Sequence, residues 1–91
     1  MKYFEWNEDK NEKLKQERHI SFETIVSQIE LGYLLDIIEQ PQKDKYKNQE
    51  IFVVEYEQYV YLVPFVEESD KVFLKTIIPS RKATKKYLEG K

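Results

Sequence analysis

The spacing of apolar positions changes along this chain, and the change marks its elements. Tyr3-Phe4-Glu5-Trp6 is a short aromatic run that suits a strand. Asn7 follows, and its side-chain oxygen can accept from the free N–H groups of a first helical turn. Glu8 and Asp9 then suit the positive end of a helix dipole, and Lys15 and Arg18 the negative end. Leu14 is the only large apolar residue of this first helix, so packing contributes little to it. It is expected on the surface, as an interaction element. Ser21 can cap a second helix, in which Phe22, Ile25, Val26 and Ile29 recur at the spacing of one buried face. Gly32 sits where a helix end needs positive φ.

Beyond Gly32 the residues favour strands. Tyr33 to Ile38, Ile51 to Tyr56, Tyr59 to Phe65 and Val72 to Ile78 are rich in β-branched and aromatic side chains. Gln40 to Gln49, with Pro41 and three lysines, reads as a polar loop. Glu57-Gln58 has the length of a hairpin turn without the favoured Asn-Gly chemistry. Glu67 to Lys71 reads as a polar turn, and Pro79 or Ser80 ends the last strand. Ala83 to Leu88 is expected to form a short helix. The order is β-α-α-β-β-β-β-α in a single domain spanning 1–91. The expected fold class is α+β: a short N-terminal strand and two helices packed on an antiparallel sheet of about four strands, with a short C-terminal helix.

Ninety-one residues can bury roughly two thirds of the surface an unfolded chain exposes, and five Phe, seven Tyr and one Trp supply much of the core. The absence of cysteine removes disulfides and thiolate metal sites and fits a reducing cytoplasm. The longest apolar run, Tyr59 to Val66, has eight residues, against the ~20 that span a bilayer. The first six residues lack the apolar core of a secretory signal. A cytoplasmic protein with no membrane partner is expected.

The net charge of −2 conceals an asymmetry. Residues 1–23 carry five Lys/Arg and six Asp/Glu, residues 24–70 three and ten, and residues 71–91 seven and one. A basic tail behind an acidic middle suits an anionic partner at the C-terminal end, or is simply a solvated tail.

Two stretches carry a family resemblance. Phe4-Glu5-Trp6-Asn7-Glu8-Asp9-Lys10 is followed, at a spacing that needs no gap against the motifs below, by Arg18-His19-Ile20-Ser21-Phe22-Glu23. Near the other end stands Ile77-Ile78-Pro79-Ser80-Arg81-Lys82-Ala83-Thr84. These resemble the F-E-W-D-x-x-K, H-G-[VI]-[SD]-F-E and I-S-A-R-[KR]-A-T motifs of BrnT-type toxins in the RelE-like superfamily. The resemblance implies a RelE-like fold. It also implies the toxin of a type II toxin–antitoxin pair: a ribonuclease that inhibits translation, acting on free or ribosome-associated RNA and neutralised by a cognate antitoxin, a small DNA-binding protein. The antitoxin is expected to cover the polar first helix and the cationic tail with an acidic or mixed-charge segment. The chain departs from the pattern in places. Arg18-His19 stands at the family's His-Gly pair and Asn7 at its Asp. Thr76 stands where many members have arginine, and Tyr59 to Val66 contains no histidine.

Cleaving RNA without a metal requires a base for the 2′-hydroxyl, an acid for the leaving oxygen and fixed cations for the phosphate. His19 is the only side chain that ordinarily titrates near neutrality, though at a helix C-terminus it also suits the dipole. Arg81 matches the family arginine, and its planar fork suits phosphate; its competing assignment is a surface salt bridge. Both are candidate catalytic residues. Lys10, Lys75, Lys82, Lys85, Lys86 and Tyr87 are candidate RNA-binding residues, the lysines by charge and Tyr87 by stacking on an unpaired base. Lys82 and Lys86, four apart, would share a helix face. Tyr33, Tyr56, Tyr59 and Tyr61 read first as sheet packing, and Glu55 and Glu57 as the wet face of a strand. No glycine-rich phosphate loop, zinc site or Ser-His-Asp spacing is present, so no metal and no cofactor is expected. A non-catalytic RNA- or protein-binding module on the same scaffold, and a stand-alone domain binding a protein through its first helix, are the competing functions.

Overall fold

The computed structural model describes residues 3–42, 44–45 and 48–89. Of the expected loop Gln40 to Gln49, positions 43, 46 and 47 lie outside the described residues. The elements are β1 (Tyr3–Glu5), α1 (Glu8–Arg18), α2 (Phe22–Glu30), β2 (Leu34–Glu39), β3 (Gln49–Tyr56), β4 (Tyr59–Glu68), β5 (Lys71–Leu74), β6 (Ile78–Pro79) and α3 (Arg81–Thr84). A π-helical turn, Lys85–Glu89, continues α3.

The α+β class is as expected, but the sheet is mixed rather than antiparallel. Its order is β1-β5-β4-β3-β2, with β1 parallel to β5 and the other pairs antiparallel. The helical pair carries the chain from one edge of the sheet to the other. The strand expected over Val72 to Ile78 is broken. β5 pairs with the end of β4, and β6 rejoins the same side of β4 at Leu62 and Tyr61. Residues 75–77 bridge the gap, Lys75 N–H donating to the Pro64 carbonyl at 2.8 Å while Ile77 is fully buried.

All four expected apolar residues of α2 face inward. Phe22 and Ile25 are fully buried, and Val26 and Ile29 pack partly buried on the same cluster. They lie against Phe52, Val54, Val63, Phe65, Val72 and Leu74, the alternate residues of β3, β4 and β5. Each such side chain contributes roughly 1.5–3 kcal/mol when fully buried. Phe52 and Phe65, on neighbouring strands, stack with centroids 3.8 Å apart. Trp6 stacks on Phe22 at 5.7 Å and ties the exit of β1 to α2.

The first helix is less of a surface element than its composition suggests. Asn7 caps it as expected, accepting from Lys10 N–H at 3.0 Å. Leu14 joins the core, and Asn11 is buried completely. The Asn11 carbonyl oxygen accepts from Phe22 N–H at 2.8 Å, and its amide donates to Glu23 Oε1 at 2.7 Å. One side chain of α1 thereby satisfies an otherwise unpaired donor in the first turn of α2. The bond from Asn11, followed by that from its own backbone N–H, holds the Glu23 carboxyl below its ordinary range.

The turn Glu57-Gln58 is two residues long, Tyr56 pairing with Tyr59. Both residues are left-handed, with φ of 52° and 63°. Hairpin twist requires this, and it costs a residue with a Cβ roughly 1–2 kcal/mol.

Two stability predictions follow from this geometry. Asn11→Ala should lower the unfolding free energy by about 2–4 kcal/mol in urea melts, because a buried N–H and a carboxylate both lose their partner. A depressed Glu23 contributes stability above its unfolded pKa, and that contribution disappears as pH falls through its lower folded value. The variant should therefore lose less stability on acidification than the parent. The pair Glu57→Asn, Gln58→Gly should raise stability by about 1 kcal/mol, read as a higher urea midpoint at unchanged slope.

Candidate nucleic-acid interface

Side chains alternate across a sheet, so the residues between those of the helix-facing cluster form a second face. Ile51, Val53, Val60 and Pro64 are buried there although α1 and α2 lie on the other side. The C-terminal segment is bonded to this face. Ser80 N–H donates to the Val60 carbonyl at 3.0 Å, and Ser80 Oγ caps the next helix by accepting from Ala83 N–H at 3.0 Å. Thr84 is buried, its hydroxyl donating to the Ser80 carbonyl at 2.7 Å and accepting from Val60 N–H at 2.9 Å. At the far end of the segment, Tyr87 donates to Asp36 Oδ2 on β2 at 2.8 Å. That bond, followed by partial burial, raises the Tyr87 phenol above its ordinary pKa.

The expected last helix thus starts earlier, at Arg81, and changes from α to π geometry at Lys85. Lys82 and Lys86 lie in its two different parts, so four-residue α spacing does not relate them. Arg81, Lys82, Lys85 and Lys86 are exposed, and among the described residues no hydrogen bond or ion pair engages the Arg81 guanidinium. Lys86 Nζ stands 5.3 Å from the centroid of the Tyr87 ring. Tyr87 is half-buried and engaged with Asp36, so it is a latch before it is a stacking platform.

Beside this segment the second face is grooved. Gln40, Gln42, Gln49, Pro64, Lys75, Thr76 and Ile78 line a cavity of about 460 Å³. Lys75 also borders a neighbouring groove of about 510 Å³ that includes Glu5, Lys71 and Phe73. Its ammonium lies 5.2 Å from the Phe73 centroid. Lys71 Nζ and Glu5 Oε2, 3.7 Å apart, close the outer rim.

Six of the eight expected site residues belong to the C-terminal part of the chain, Lys75 lining the groove and Arg81, Lys82, Lys85, Lys86 and Tyr87 lying on the segment after β6. The other two do not. Lys10 sits in the first turn of α1. His19 is the left-handed C-cap of α1, with φ 56° and ψ 34°. It lines a shallow depression with Lys15, Ile20, Ser21 and Thr24, which contains none of the C-terminal cations. Its position is that of an exposed helix-end histidine. Among the described residues no three of His, Asp or Glu gather as a metal-ion site, and no helix is long and apolar enough to cross a membrane.

Sequence reasoning missed several contributors. Arg18 reaches from α1 to the Ile77 carbonyl at 3.2 Å, just ahead of β6 and Arg81. Ser80 and Thr84 lie inside the quoted C-terminal motif, but their work is to pin the segment. The glutamines of the groove left a trace in the run Gln40-Pro41-Gln42, whose amides can pair with base edges or phosphate oxygens. Compared with protein-family models, characterised proteins and solved structures, the chain finds no match.

The latch carries its own prediction. Tyr87→Phe should speed amide exchange in residues 85–89 while leaving that of β3 and β4 unchanged. In the parent a raised phenol pKa stabilises the latch below about pH 10, and the contribution is lost as pH climbs through the folded value. Thr84→Val, which strips Val60 N–H of its acceptor, should cost about 1–3 kcal/mol in denaturant melts.

Proposed function

We propose that this chain is the toxin of a type II toxin–antitoxin pair on a RelE-like, BrnT-type scaffold. It binds RNA through the second face of its sheet and cleaves it without a metal. The observation that carries the reading is the run of exposed cations Arg81, Lys82, Lys85 and Lys86 on a segment bonded to the second face of the sheet at Val60 and Asp36. These cations supply the electrostatic term for a phosphate backbone. The resemblance gains support from position 19 as well. The family motif has glycine there, and this chain adopts the left-handed conformation that glycine takes without strain. An antitoxin that silences the toxin would cover this face. The cytoplasm, where RNA and ribosomes are, is the corresponding compartment.

Arg81 is the phosphate-binding residue in this scheme. Its fork is unengaged, and it lies outside the sheet. His19 has no part in the chemistry, because it belongs to the helical layer. Proton transfer then falls to lysine or tyrosine. A second reading, a non-catalytic RNA-binding module, is favoured by one observation: among the described residues, the groove that holds His19 does not include Arg81, and no hydrogen bond joins the two.

Purified chain incubated with RNA, with and without ribosomes, separates the two. Arg81→Ala should slow cleavage by on the order of 10²-fold with an unchanged fold, and Arg81→Lys should restore little. His19→Ala should leave the rate unchanged. Lys82→Ala and Lys86→Ala should each weaken RNA binding and reduce its salt dependence by about one ionic contact. Binding without any cleavage would establish the module in place of the enzyme.

A further inference from the structure

Part of the negative charge of the middle segment lines a groove that includes none of the candidate cations. At the C-terminal end of α2, beside the β3–β4 hairpin, Leu31, Tyr33, Glu55, Tyr56 and Glu57 line most of a groove of about 490 Å³. Its floor is fixed by hydrogen bonds. Tyr33 N–H donates to the Gln28 carbonyl at 2.9 Å, and Glu55 N–H donates to the Tyr33 carbonyl at 3.0 Å. The Gln28 amide donates to the Glu55 carbonyl at 2.9 Å. Two large side chains on this floor remain open to solvent, Leu31 at 70% and Tyr33 at 45% exposure.

The electrostatics of the groove have one sign. A helix C-terminus carries partial negative charge, normally offset by Lys or Arg in the last turn. α2 has no basic residue in its last turn and ends instead on Glu30. Glu55 and Glu57 add two carboxylates, and Glu57 accepts from Tyr56, raising that phenol. Neither residues 24–42 nor residues 48–70 contain a single Lys or Arg. Carboxylates, a helix C-terminus and tyrosine rings all attract a cation, and guanidinium most of all because it can pair and stack at once. The bare leucine beside them suits an aliphatic neighbour of that cation.

We propose that this groove docks a basic amphipathic segment of a protein partner. An Arg or Lys side chain enters between the carboxylates and the tyrosine rings, and an apolar side chain of the same segment rests on Leu31. Nucleic acid is disfavoured here by like charge. The proposal does not depend on the RNA reading, since it uses different residues.

The probe is a fluorescein-labelled, helix-forming peptide of about fifteen residues carrying Arg and Leu at i, i+3 and i+4 spacing, with a control that has Glu in place of every Arg. Anisotropy titrations and backbone amide shifts of the full chain are the readouts. The Arg peptide should bind and the Glu peptide should not, with shifts centred on Leu31, Tyr33 and residues 55–58. Glu57→Gln and Tyr33→Ser, both on exposed positions and both checked for a native amide spectrum, should each weaken binding about fivefold. Arg81→Ala should leave it unchanged. Shifts centred elsewhere, or full affinity in both groove variants, would overturn the proposal. So would peptide-independent, concentration-dependent shifts at the groove, which would make a second copy of the chain its occupant.

Discussion

The fold depends on the amide of Asn11. A polar helix with one buried apolar side chain has little hydrophobic reason to stay against a sheet. Asn11 provides a directional one. Its oxygen and nitrogen fill complementary needs in the first turn of α2, and burial makes those needs expensive to leave unmet. Once α1 is held to α2, the strand before it is held as well. Trp6 lies on Phe22, and β1 is carried to the far edge of the sheet beside β5. The parallel pairing that closes this edge is thus a consequence of helix docking. A parallel pair needs a long crossover, and here the crossover includes both helices and three intervening strands.

The same economy governs the other face. Val53 and Val60 are fully buried there under a segment that is short and mostly charged. Such a segment buries little apolar area, so its attachment is polar: Ser80 and Thr84 at one end, Tyr87 with Asp36 at the other. Among the described residues, no ion pair engages Arg81, Lys82, Lys85 or Lys86. A segment held by a few bonds at its ends can also loosen without unfolding the sheet, because Phe52, Val63 and Phe65 belong to the opposite layer.

The apolar periodicity of α2 and the strand character of β2, β3 and β4 were legible in the sequence because both express one-dimensional spacing. The pairing of β1 was not, since three residues carry no information about their neighbour. The break after Leu74 was hidden for a related reason. Lys75-Thr76-Ile77-Ile78 continues the β-branched composition of a strand, and only the burial of Ile77 together with the return to Leu62 reveals the bridge. Asn11 left no signal at all, being one polar residue in a polar helix. Among the candidate site residues, the run of C-terminal cations was legible along the chain from charge and motif. Lys10 and His19 were grouped with them by motif and chemistry, neither of which states which layer a side chain occupies. The left-handed backbone at His19 does, since it is the geometry of a helix end and gives the residue a local reason to be there.

The two charged regions have a joint consequence. Residues 71–91 hold seven of the fifteen basic side chains and one of the seventeen acidic ones, so the net charge of −2 describes neither region. A polyanion approaching the molecule meets attraction at Lys75 and the last helix, and repulsion at the end of α2 and the β3–β4 hairpin. Fields of this kind orient an encounter before contact is made and weaken as salt screens them. On the RNA-binding reading proposed above, the acidic groove would act on RNA without touching it, by disfavouring approaches from its own side. A basic segment seated at Glu55 and Glu57 would remove that repulsion. Were both proposed surfaces occupied, they would be coupled by charge, with no change of shape required.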